Sequence, residues 1–390
     1  MNIDLSALYG NDEMREMLKA KLSAKSISHA YGIAGPRGSG KKTLAFLLCA
    51  ALCCEEETTR PCMRCPSCKK ILSAQSPDFM TLGIEGVPPL LPDAKSIAAL
   101  TDAPKKEAEL PKSIGVDAIR AMQADAYIKP NDLERKLYII GHAERMTVQA
   151  QNALLKILEE PPASVVFFLL TENPAALLTT VRSRIQMLKT EVFCDEQLQD
   201  YLLQEDTHAK ALAKKDPAQF RLLLHLANGC IGNAKAYIKA TAKELAADPV
   251  YEAHVTVTQC LACVFAKELP NDSPVLAKDT HLPRKTELLG ILASRMETRE
   301  QLRAGLDALL LALRDFTVCT LLLEDDSVPM LFFEDAAQPR ALGETVSPNV
   351  LAEVSAELNV LRASLDANPN VGLVQERIAE LLMKLRFGGI

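Results

Sequence analysis

A chain of 390 residues is too long for one compact core, and 48% hydrophobic content is ample for two or three domains. Its formal net charge of −6 excludes a wholesale nucleic-acid coat and leaves room for a local basic face alone. No run of 18 apolar residues is present and the opening MNIDLSALYGNDEM carries acids where a signal peptide carries a basic, apolar stretch, so no membrane span and a cytoplasmic location are expected.

Residues 11–28 have Met14, Met17, Leu18 and Leu22 on one helical face and charges on the other, which predicts an amphipathic helix. A strand over 29–34 (HAYGIA) follows, then the glycine-rich run Gly35-Pro-Arg-Gly38-Ser-Gly40-Lys41-Lys42-Thr43, then a long helix through Leu52. Strand, GxxxxGK, helix is the context of a phosphate cradle: backbone N–H groups and the helix N-terminus face the anion, with Gly35, Gly38, Gly40 and Lys41 as its candidate residues. The position after Lys41 should carry the hydroxyl that holds Mg²⁺, and Lys42 stands there. Thr43 comes one residue late, turned about 100° away on a helix.

Five of the eleven cysteines crowd into residues 53–68. Cys62, Cys65 and Cys68 form CxxCxxC, and Cys53 or Cys54 can supply a fourth sulfur. Four thiolates on two-residue spacers suit one tetrahedral structural zinc and leave no open catalytic position. Cys260 and Cys263, another CxxC in an apolar helical stretch, read as core packing. Residues 84–113 hold five prolines without sustained periodicity and read as a mobile surface excursion.

A helix is expected over 114–127, opening near Asp117 and broken by Lys129-Pro130. Next come two short apolar runs, KLYII (136–140) and VVFFLLT (165–171), of the kind buried on both faces of a parallel sheet. Between them Ala150, Ala153, Leu154, Ile157 and Leu158 keep i, i+3, i+4 spacing until Pro161-Pro162 stops the helix. Strand, helix, strand in this order is a right-handed crossover. A P-loop hydrolase needs an Asp on the metal and an adjacent Glu after the first of these strands. Gly141 and His142 occupy those positions; His142 reads as structural, and Glu144 as a surface or helix-start carboxylate. Residues 191–240 contain three short helical patterns. From about 245 onward the chain reads as all-α, with long amphipathic stretches such as 302–323 and 350–385 and a loop over 329–348.

GPRGSGKK, the CxxCxxC insert, RKLYIIGHAERM, QNALLKILEEPP, LLTENP and Ser183-Arg184-Ile185 together resemble the bacterial DNA polymerase III clamp-loader subunits of the AAA+ class, over roughly residues 5–240. The resemblance implies an α/β plus all-α protein: an AAA+ parallel-sheet core over 1–190 with a four-cysteine zinc module at about 53–68, a helical lid over 191–243 and a helical oligomerisation collar over 244–390. The family's zinc module has eight residues between its first two cysteines, which favours Cys53 as the fourth ligand. Its ATP-hydrolysing gamma/tau member carries a P-loop Thr, an Asp-Glu pair and a lid arginine; here Lys42, Gly141-His142 and Gly232 replace them.

Three losses imply a non-hydrolysing ring member with weak or no ATP binding of its own. The resemblance gives Arg184 the role of an arginine finger, reaching the γ-phosphate of ATP held by a neighbouring subunit, with Ser183 orienting the loop and Thr171 at the sensor position. A guanidinium supplied in trans stabilises charge that develops on the transferring phosphoryl group. The implied partners are the gamma/tau and delta subunits, the sliding clamp and primer-template DNA. Two other readings are an ATP-hydrolysing gamma/tau-type motor, against which the missing acids weigh, and a zinc-containing nucleic-acid adaptor. The absence of Trp and 5% aromatic content weigh against the adaptor.

Overall fold

The computed structural model describes residues 2–6, 8–24, 26–84, 112–265, 281–321, 346–367 and 369–387, with 328, 330–333, 336, 337, 339 and 340 between the last helical regions. Most of the expected surface excursion over 84–113 and much of the expected loop over 329–348 lie outside these residues. The chain divides into two compact units, Met1–Leu198 with Asn228–Asn233, and Gln199–Ala227 with Ala234–Ile390. Among the described residues no helix is long and apolar enough to cross a membrane.

The first unit is a parallel α/β layer structure. Strands β2 (Ala30–Ala34), β4 (Phe79–Leu82), β5 (Lys136–Ile140), β6 (Val165–Thr171) and β7 (Gln186–Lys189) pair in the order β4-β5-β6-β2-β7, all parallel. Two-residue strands β1 (Asn2–Ile3) and β3 (Thr59–Arg60) pair separately. Every residue of β2, β5 and β6 is buried, because helices cover both faces.

Successive side chains alternate between two cores. Tyr31, Ile33, Leu137, Ile139, Val166 and Phe168 pack with α1 (Asp12–Ser23), α2 (Lys41–Cys53) and α3 (Pro66–Leu72). Ala30, Tyr138, Ile140, Val165, Phe167 and Leu169 pack with α4 (Val116–Ala126) and α5 (Val148–Glu159). The register places one aromatic pair in each core: Tyr31 opposite Phe168, with ring centroids 5.7 Å apart, and Tyr138 opposite Phe167, at 4.9 Å. Each such side chain contributes about 1.5–3 kcal/mol by burial, and a one-residue slip would reverse the cores. The buried Asp125 carboxylate accepts from Lys136 Nζ (2.8 Å) and the Tyr138 hydroxyl (2.6 Å), which ties α4 to β5.

Helix α6 (Thr179–Arg182) is a single turn before β7. Where three short helices are expected over 191–240, four form: α7 (Asp195–Glu205), α8 (Thr207–Lys215), α9 (Pro217–Leu226) and α10 (Ile231–Lys239). The breaks are capping events, since Asp206 accepts from the His208 and Ala209 N–H groups and Asp216 from that of Gln219, just before Pro217.

The second unit continues with α11 (Ala242–Ala246), α12 (Pro249–Val264), α13 (His281–Arg295), α14 (Arg299–Leu321), α15 (Pro348–Ser364) and α16 (Val371–Phe387) around a core that includes Val257, Leu306, Phe316, Val354 and Leu382. The stretch read as continuous over 350–385 is two helices, parted by a 3-10 turn at Leu365–Ala367 and by Pro369 beyond it. Asp315, fully buried in α14, accepts backbone N–H groups from Leu331, Phe332 and Phe333 at 2.7–3.1 Å, and Arg314 at 2.9 Å. Cys260 is buried in this core, as expected of packing.

Candidate functional site

In open parallel sheets, ligand crevices lie beyond the carboxyl ends of the strands. That edge gathers the 35–40 loop after β2, the 141–145 turn after β5 and Thr171 at the end of β6. Gly38 (φ +76°) and Gly40 (φ +89°, the N-cap of α2) take left-handed conformations that a glycine adopts without strain. Lys41 opens α2, but its ammonium turns back to donate to the carbonyls of Gly35 (2.6 Å) and Pro36 (2.8 Å), with the Glu172 carboxylate 3.6 Å away. Burial pushes the Lys41 pKa down, against the raising influence of Glu172 and Glu144. Lys42 lies with its ammonium 5.9 Å from the Phe46 ring centre, and Thr43 faces outward.

Residues 232 and 233 close over this loop. The Gly232 N–H donates to the Gly38 carbonyl (2.9 Å), and the Asn233 side-chain amide to that of Arg37 (3.2 Å). A Cβ on Gly232 would meet the Gly38 oxygen at 2.8 Å and its Cα at 2.9 Å. Where the resemblance places a lost lid arginine, the contact admits no side chain at all.

After β5 the chain turns through His142 (φ +48°) into a 3-10 turn, Ala143–Arg145. Of the two expectations for Glu144, a surface or a helix-start carboxylate, the second holds: it lies in the first turn of the 3-10 helix and is half-buried, with Oε1 3.3 Å from His142 Nδ1 and Oε2 accepting the Glu172 N–H at 3.3 Å. Burial would raise its pKa, yet hydrogen bonds from His142 and from Thr171 outweigh it and hold the carboxyl down to about 2. Thr171, fully buried, also accepts the Asn173 N–H at 3.1 Å. Lys41, Glu144, Thr171 and Glu172 thus form one internally paired polar cluster. Nothing in the spacing of the sequence marks Glu144 or Glu172 as members.

Arg184 has other partners than that cluster. Helix α5 begins at Thr147, whose hydroxyl accepts the Ala150 N–H, and ends before Pro161-Pro162. Its buried Gln151 donates to Met146 O (3.2 Å) and Ala176 O (3.3 Å) and accepts the Leu178 N–H (2.7 Å), fastening the 174–178 segment that leads into α6. Ser183 donates to Thr180 O at 3.0 Å. Arg184 Nη1 donates to Thr180 O (2.9 Å) and Ser183 Oγ (3.4 Å), and Nη2 lies 2.7 Å from Glu159 Oε1.

The sulfurs of Cys54, Cys62, Cys65 and Cys68 lie within 4.8 Å of one another and could hold one metal ion. Cys53, the fourth ligand implied by the family spacing, is outside the group. It is the last residue of α2 and faces the core, where burial pushes its thiol up to about 12. Cys54 is the C-cap, in an extended conformation (ψ 131°) that turns it off the helix. Backbone N–H groups of Cys62, Cys65 and Cys68 donate to the sulfurs of Cys54, Cys62 and Cys65 at 3.3–3.4 Å. Such donors favour the thiolate form that a metal requires. Backbone hydrogen bonding, foremost from Arg64, lowers the Cys62 thiol to about 6, whereas burial raises those of Cys54 and Cys68.

Comparison with known proteins finds the following similarities. Residues 10–193 match the family model described as DNA polymerase III, delta subunit. The chain is 27% identical over 372 residues to the DNA polymerase III subunit delta' of Bacillus subtilis, covering 95% of each. It is 32% identical over 178 residues to that organism's subunit tau, covering 45% of this chain and 27% of tau. A Thermotoga maritima DNA polymerase III gamma subunit-related protein of solved structure aligns over 96% of this chain and 99% of its own, at 19% identity and a TM-score of 0.40.

Proposed function

We propose, from the premise that the chain is a relative of bacterial DNA polymerase III delta' subunits, that it is the non-hydrolysing, arginine-donating member of a clamp loader. Kinship along nearly the whole chain supports the clamp-loader role itself. The finer reading is that Arg184 reaches the γ-phosphate of ATP bound by a neighbouring gamma/tau subunit, with Ser183 orienting its loop, while the chain's own P-loop is silent. Gamma/tau and delta subunits, the sliding clamp and primer-template DNA are the partners in this reading, and the cytoplasm its location. The core over 1–190, lid over 191–243 and collar over 244–390 are its working parts.

The observation that carries the reading is the state of the P-loop: Gly232 sits on Gly38, and the Lys41 ammonium is spent on the loop's own carbonyls. A triphosphate would have to displace both. No hydroxyl follows Lys41 and no carboxylate stands at 141 or 142 to hold Mg²⁺. Zinc is the metal proposed for Cys54, Cys62, Cys65 and Cys68, because four thiolates in close array suit its tetrahedral preference and its role is structural.

The test is ATP turnover by the purified chain alone and in an assembly with gamma/tau and delta. The expected result is no turnover alone and a rise when the chain completes the assembly. Turnover by the chain alone would overturn the proposal.

A further inference from the structure

The geometry points to Glu159 as a positioning residue for Arg184, a role that rests on the arginine-donor reading above. Glu159 is the last residue of α5, and its carboxylate takes the Nη2 side of the guanidinium at 2.7 Å while Thr180 O and Ser183 Oγ take the Nη1 side. The planar fork is therefore fixed from both ends before any partner arrives. Among the described contacts, Nε and the second hydrogen of Nη2 stay available for an acceptor outside the chain.

Stability does not account for this pairing. Arg184 is 35% and Glu159 49% exposed, and ion pairs this exposed to water add little to stability. What the contact does supply is direction. A free arginine side chain spreads over many rotamers, which a held guanidinium does not. A group that must meet a phosphoryl oxygen in another subunit loses about 100-fold in rate when displaced by about 1 Å.

The mount is one rigid element holding the segment at two points. Gln151, near the start of α5, fastens Ala176 and Leu178, and Glu159, at its end, fastens Arg184. Pro161-Pro162 stops the helix directly after Glu160, so the carboxylate cannot drift along a continuing turn. Glu159 touches no substrate; it acts through Arg184.

The experiment measures steady-state ATP turnover in the assembly with gamma/tau, delta, clamp and primed DNA, using Glu159→Ala, Glu159→Gln, Arg184→Ala and the double variant Glu159→Ala/Arg184→Ala in this chain. Glu159→Ala is expected to lower kcat about tenfold at unchanged KM for ATP and unchanged melting temperature of the chain. Glu159→Gln, which keeps an acceptor oxygen, should recover most of the loss, and the double variant should be no slower than Arg184→Ala. Wild-type or raised turnover for Glu159→Ala beside a collapse for Arg184→Ala would overturn the positioning role alone. Wild-type turnover for Arg184→Ala would overturn the arginine-donor reading and this role with it.

Discussion

Cys53 and Cys54 are chemically identical neighbours, and the difference between them is made by where α2 stops. Adjacent helical positions differ in direction by about 100°. A spacing rule that counts residues from Cys62 therefore selects a sulfur without knowing which side of the last turn it occupies. With Cys53 in the core and Cys54 beside the other three sulfurs, Cys54→Ser should lose stoichiometric zinc on purification, while Cys53→Ser should retain it. Metal content per chain by atomic emission decides the matter, and retention by Cys54→Ser would reject the assignment. Glu144 gives a second expectation. Its folded pKa, about 2, lies below the ordinary value of 4.5, so the folded state favours the deprotonated form. The associated stability is present above about pH 4.5 and is lost as pH falls toward 2. Glu144→Gln should flatten the acid limb of a stability profile between those values and leave its neutral region with the same slope. An unchanged acid limb would count against the pairing with His142 and Thr171.

Elements built on unbroken patterns were legible in the sequence, and those decided by a single cap or proline were not. Strands β5 and β6 occupy the residues read from KLYII and VVFFLLT, because burial on both faces leaves no polar alternation to blur their limits. Helix α5 was legible from its apolar spacing. The break between α7 and α8 is set by Asp206 accepting two N–H groups, and an aspartate among Glu205 and Thr207 has no periodic signature. Likewise the closure of the P-loop lay beyond sequence reasoning. Gly232 looked like a missing arginine, and its reason for being glycine, a backbone approach to Gly38, appears when the two segments are seen together. The role of α5 as a mount for the Ser183-Arg184 turn predicts that Gln151→Leu strands the Leu178 N–H and the carbonyls of Met146 and Ala176. The expected cost is about 2–4 kcal/mol, read as a lower urea midpoint at unchanged slope. A midpoint within error of wild type would show that the 174–178 segment does not depend on it.

At the scale of the whole molecule, the chain combines a parallel-sheet unit whose polar edge is paired internally with a second, all-helical unit that has its own core. In the first unit the residues of the glycine-rich loop and the strand ends pair with one another: Lys41 with loop carbonyls and Glu172, Glu144 with His142 and Thr171, Gly38 with Gly232. Arg184, which shares none of these partners, is held by contacts that, among the described residues, leave part of its guanidinium available. The proposed role, completing a neighbour's reaction rather than running one of its own, rests on this arrangement. The most direct test is ATP turnover by the full assembly with clamp and primed DNA, comparing wild type with Arg184→Ala and Lys41→Ala in this chain. The account predicts a loss of about 10³-fold or more at the affected site for Arg184→Ala, and near wild-type turnover for Lys41→Ala. The reverse pattern, with Lys41→Ala abolishing turnover and Arg184→Ala sparing it, would contradict it.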